Sequence, residues 1–71
     1  MADNAGITKI TKEQPREGGD HVMVVEGVVD GQPHGILMHV EDFQNLETKD
    51  QREFERRLAE RVRESYEETR R

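Results

Sequence analysis

The sequence predicts a small α+β domain: an antiparallel β-meander of two or three strands followed by one long C-terminal α-helix packed on one face. Three observations carry that prediction. Two β-branched runs, Val22 to Val29 and Ile36 to Val40, flank Asp30-Gly31. That dipeptide suits a two-residue hairpin turn, whose two central positions both need φ > 0. From Asp50 to Tyr66 and beyond, no Gly or Pro interrupts a run of good helix formers. Ahead of the hairpin, a short β-branched stretch ends in a cluster of breakers, which gives room for a first strand.

Met1 to Gly6 is small and polar and is expected to be a disordered N-terminus, with residues 7–71 forming a single domain. Ile7 to Glu13 (ITKITKE) has the composition of a strand, although simple alternation puts Ile7 and Ile10 on opposite faces. Gln14 to Asp20 is a loop by composition, with Pro15 and Gly18-Gly19 as its breakers.

The hairpin register follows from the turn. With Asp30-Gly31 as the whole loop, Val29 faces Gln32, Val25 faces Ile36, Met23 faces Met38 and His21 faces Val40. The second face carries Val22, Val24 and Val28 opposite His39, Leu37 and Pro33, with Glu26 beside Gly35. Both faces are apolar, whereas a hairpin with one wet side should alternate cleanly. Pro33 falls at a non-hydrogen-bonded position, so its nitrogen points outward and the second strand should be a sheet edge.

Glu41 to Lys49 reads as a connector anchored by Phe43 and Leu46. Thr48 precedes Gln51 at capping-box spacing, with Asp50 as the competing cap. On the helix, Phe54, Leu58, Val62 and Tyr66 form an apolar stripe with Ala59 at its margin. Arg52, Arg56, Arg63 and Arg70 form a second stripe, closely interleaved with glutamates. Those acids make ion pairs such as Arg56 with Glu60, Arg63 with Glu67, Glu53 with Arg57 and Glu67 with Arg71 the expected use of the row.

Composition limits the stability of a monomer. Of 71 residues only 31% are apolar, and the mean hydropathy is −1.04, so the core is thin. No cysteine supplies a disulfide or thiolate site, and domains this small usually need such a staple or a partner. No apolar run is long enough to span a membrane and the N-terminus resembles no signal peptide, so a cytoplasmic protein without membrane contact is expected. Acidity is concentrated in the hairpin and its exit, where Glu26, Asp30, Glu41, Asp42 and Glu47 face one lysine, Lys49.

Chemistry finds little support. His21 and His39 project from opposite faces of the ribbon and His34 sits by the turn, so no metal site or other cofactor is expected. The one serine, Ser65, lies inside the helix, and Gly27, Gly31 and Gly35 belong to a hairpin rather than a phosphate loop. No enzymatic activity is expected. The helix stripe can cover one sheet face, which leaves Val22, Val24, Val28 and Leu37 either as a candidate interface or as a face over which Ile7, Ile10 or the connector folds. The reading is therefore a small non-enzymatic interaction or structural module, a homodimer. Its alternative is a regulatory protein contacting nucleic acid through Arg52, Arg56, Arg63 and Arg70. The net charge of −5 and the lack of aromatics among those arginines weigh against the alternative.

Overall fold

A computed structural model describes residues 5–70 of the chain, and the expectations for residues 1–4 and for the Glu67–Arg71 pair lie outside them. Strands β1 (Ala5–Glu13), β2 (Val22–Val29) and β3 (Gln32–His39) form one antiparallel sheet in the order β1-β2-β3. A short helix α1 (Val40–Leu46) and a long helix α2 (Gln51–Thr69) follow. The shortest dimension of the molecule is 18 Å, the thickness of one sheet and one helix layer. It is an α+β fold with its helices on one side.

The turn is set by its two residues. Asp30 takes φ 51° and Gly31 φ 82°, the left-handed pair that a two-residue hairpin loop demands. The register that follows pairs Val29 with Gln32, Val25 with Ile36 and Met23 with Met38, as the sequence predicts. Pairing stops at Val22 with His39, so His21 has no strand partner in Val40, which instead opens α1.

Strand β1 begins at Ala5, two residues earlier than expected, and contains a β-bulge between Ile7 and Lys9. The bulge corrects the alternation. Ile7 pairs with Gly27 and Ile10 with Val25, so both isoleucines share the face of Val25 rather than dividing between faces. Thr8, the extra residue, donates from Oγ1 to the Glu26 carbonyl at 3.2 Å. Gly27 is the counterpart on β2: a Cβ there would collide with the Gly6 carbonyl oxygen. No larger residue allows β1 so close.

The core lies between the sheet and α2. Val25, Val29, Leu58 and Val62 are fully buried, and Ala5, Ile7, Ile36, Met38, Phe54 and Tyr66 pack around them. The helix therefore uses its predicted stripe. Each such side chain contributes about 1.5–3 kcal/mol on burial, which makes these four the centre of stability.

Part of the expected connector is helical: residues 41–46, together with Val40, the expected end of the strand, form the seven-residue helix α1. His39 occupies its N-cap position without a side-chain hydrogen bond, so the usual start signal is missing from the sequence. Phe43 brings α1 onto the core edge by an edge-to-face contact with Phe54, ring centroids 5.2 Å apart. Asp50 caps α2, accepting from the Arg52 and Glu53 amides at 3.0 and 3.4 Å. Thr48 donates to the Asp50 carbonyl instead of forming the capping box with Gln51.

Candidate interaction surfaces

Strand alternation assigns every β2 side chain to one of two faces. Those of Met23, Val25 and Val29 meet the helix, and those of Val22, Val24, Glu26 and Val28 point the other way. On the outer face the ladder places Thr11, Val24 and Leu37 in one row and Glu13, Val22 and His39 in the next. Lys9, Glu26 and Gly35 form a polar row that separates these from Val28 and Pro33. The four candidate interface residues thus share a face but do not form one patch. Val22, Val24 and Leu37 are contiguous, and Val28 stands apart.

No described element covers this face. Both helices pack on the opposite side, and β1 extends the sheet sideways, with Ile7 packed against the core and Ile10 on the same face but 41% exposed. Leu37 is 71% exposed, the most open large apolar side chain among the described residues. The three valines are half-buried by their neighbours within the sheet alone.

The arginine stripe is partly occupied. Arg56 Nη1 donates to Glu60 Oε1 at 2.7 Å, and its Nη2 lies 3.5 Å from Glu53, which also meets Arg57 at 3.3 Å. Arg63 reaches across to Asp30 at 3.7 Å, tying the helix to the hairpin turn. Arg70 lies over the Tyr66 ring at 5.5 Å from its centroid. Arg52 is exposed at the start of the helix. Glu53–Arg57 and Arg56–Glu60 are the expected ion pairs, and the Arg63–Asp30 bridge adds a contact between elements that helical spacing alone does not reveal.

One side-chain contact escaped sequence reasoning because its partners are 31 residues apart. His34 Nε2 and Ser65 Oγ share a hydrogen bond at 3.0 Å, and the His34 ring meets Tyr66 edge-on at 5.6 Å. A serine beside a histidine suggests nucleophilic chemistry. Ser65, however, sits mid-helix, where the surrounding amides are committed to the helical ladder and none is turned to receive an oxyanion. His34 clasps the hairpin to α2.

His34 therefore belongs to the helix side, while His39 lies on the outer face beside Val22. Among the described residues no three His, Asp or Glu side chains converge on one point where an ion could sit. No helix among the described residues is long and apolar enough to cross a membrane.

A concavity runs along β3. Ile36, Met38 and Leu46 form its apolar part and Asp42, Arg61, Glu64, Ser65 and Glu68 its polar wall, around a volume of ≈ 330 Å³. It lies between the outer strand and α2, with α1 at one end. Compared with known proteins, the chain matches no family model, no curated protein and no solved structure.

Proposed function

We propose that this chain is a non-enzymatic interaction module that works as a homodimer, with the outer sheet face as the surface between the two copies. The observation that carries the reading is Val22, Val24 and the 71% exposed Leu37 lying together with no described element above them. Leaving such a patch wet forgoes stabilisation at about 25 cal/mol per Å² of apolar surface, in a chain whose fully buried core is four side chains among the described residues. A second copy offers the same apolar patch, and two-fold dimers, which pair identical patches, are the commonest oligomers. The polar row of Lys9 and Glu26 would then lie at the rim, where charges keep their water. A cytoplasmic setting fits the lack of cysteine.

The arginine row supports a structural role better than a nucleic-acid contact. Arg56, Arg63 and Arg70 would each have to give up a partner before meeting a phosphate.

Sedimentation equilibrium over a range of concentrations tests the dimer. The unmutated chain is expected to dimerise by high micromolar concentration, and Val24→Asp to yield a monomer that is partly or wholly unfolded, since association and folding are linked. A well-folded monomer of the unmutated chain at that concentration would overturn the reading.

A further inference from the structure

The hairpin geometry fixes which backbone groups of β3 are free. In a two-residue loop the closing pair, Val29 with Gln32, is hydrogen-bonded, and the pairs then alternate. Gln32, His34, Ile36 and Met38 therefore turn their N–H and C=O toward β2. Pro33, Gly35, Leu37 and His39 turn theirs outward. Pro33 has no N–H, and His39 is the N-cap of α1, leaving Gly35 and Leu37 as a pair of complete donor–acceptor positions on an open edge.

Beside that edge lies the groove between β3 and α2. Its lining includes Leu37 and His39, whose side chains belong to the outer face, so the groove opens around the strand edge itself. Asp42, Glu64 and Glu68 wall it against one arginine, Arg61, an excess of two negative charges over an apolar floor of Ile36, Met38 and Leu46. Glycine in the middle of β3 is not required by the hairpin. A Cβ at Gly35 would make only ordinary contacts, with Glu26 Cγ at 3.6 Å and the Val25 carbonyl at 3.8 Å. That Cβ would stand on the outer face beside Glu26, so the glycine leaves the outward N–H and C=O of this position less screened on that side.

We propose that the β3 edge and its groove receive an extended basic peptide segment as a fourth strand of the sheet. The peptide backbone pairs with Gly35 and Leu37. Its alternate side chains enter the groove, where lysine stems lie on Ile36 and Met38 and their ammonium groups reach Glu64, Glu68 and Asp42. The main chain supplies affinity, and the acidic wall selects positive charge. The site meets the outer face at Leu37 and His39, but its groove lies on the helix side and does not depend on a second copy covering that face.

The probe is an acetylated, amidated peptide of alternating lysine and valine, titrated into the isotope-labelled full chain and followed by amide chemical shifts. The expected result is saturable shifts centred on Gly35 and Leu37, with no binding by the matching peptide of alternating glutamate and valine. Glu64→Lys with Glu68→Lys, both on exposed helix positions, should weaken binding about tenfold. Gly35→Pro should abolish it with helical circular dichroism unchanged, because only an outward N–H is removed. Should that variant fail to fold, the charge-reversal pair decides. Equal binding by the charge-reversed chain, or shifts confined to the neighbourhood of Val22 and Val24, would overturn the proposal. So would concentration-dependent shifts spanning Gly35 and the groove wall at Glu64 and Glu68 without peptide, which would give the edge to a second copy; shifts at Leu37 alone belong to the outer-face dimer. Sedimentation of the unmutated chain reports on the outer face separately.

Discussion

Val24 and Val25 are consecutive residues of β2 with the same side chain, yet Val25 is fully buried under α2 while Val24 points to a side with no described layer above it. Leucine repeats the contrast: Leu58 is 0% exposed in the helix stripe and Leu37 is 71% exposed on the outer face. For these valines and leucines, residue type does not tell which side of the sheet is covered. What distinguishes the two sides is that one long helix presents one stripe, and a stripe covers one face. The surplus apolar chemistry is on the side that no described element covers.

That contrast can be pushed hardest at the two leucines. Leu58→Ala removes a side chain enclosed by Val25, Val29 and Val62 and should cost about 2–5 kcal/mol. In so small a core that is enough to unfold much of the population, visible as loss of helical circular dichroism at room temperature. Leu37→Ala, the same truncation on the other face, is expected to cost about 1–2 kcal/mol if a second copy covers it. The loss should appear only where the unmutated chain is dimeric. A change within about 0.5 kcal/mol at every concentration would mean that the outer face is a solvated surface.

A smaller effect sharpens the comparison from the helix side. Charge reversal of Arg56 and Arg63 to glutamate breaks the Glu53–Arg56–Glu60 cluster and the bridge to Asp30. The expected cost is about 0.5–1.5 kcal/mol, measured by thermal melting and reduced in high salt. Dimerisation through the outer face should be unaffected. A variant that keeps its stability but loses affinity for a nucleic acid would instead assign the arginine row to phosphate contact.

The legible parts of the fold were those that depend on neighbours in sequence. Asp30-Gly31 has one good conformation between two β-branched runs, so it determined the turn, and the turn determined every pair from Val29 with Gln32 to Val22 with His39. The helix stripe was equally local. What escaped were features that only the assembled sheet requires. The bulge at Thr8 answers to the ladder with β2 and to the close passage of Gly27, and nothing in ITKITKE announces it. Helix α1 lacks a side-chain cap and gains its support from Phe43 against Phe54. The His34–Ser65 clasp joins segments that no periodicity relates. The four outer-face residues were placed on one face, and Glu26 between Val24 and Val28, by the hairpin register alone; that Lys9 joins Glu26 in dividing them depended on the register of β1, which the bulge shifts.

The bulge also bears on how this chain can change in length. Inserting one residue into a regular strand reverses the facing of everything beyond it, so strands ordinarily resist insertions and deletions. In β1 the extra residue is already absorbed at Thr8, between Ile7 and Lys9. Deleting Thr8 would leave Ile7 and Ile10 two residues apart on a regular ladder, still opposite Gly27 and Val25. The strand can therefore exist in two lengths that bury the same side chains, a tolerance to single-codon loss confined to this point of the sheet.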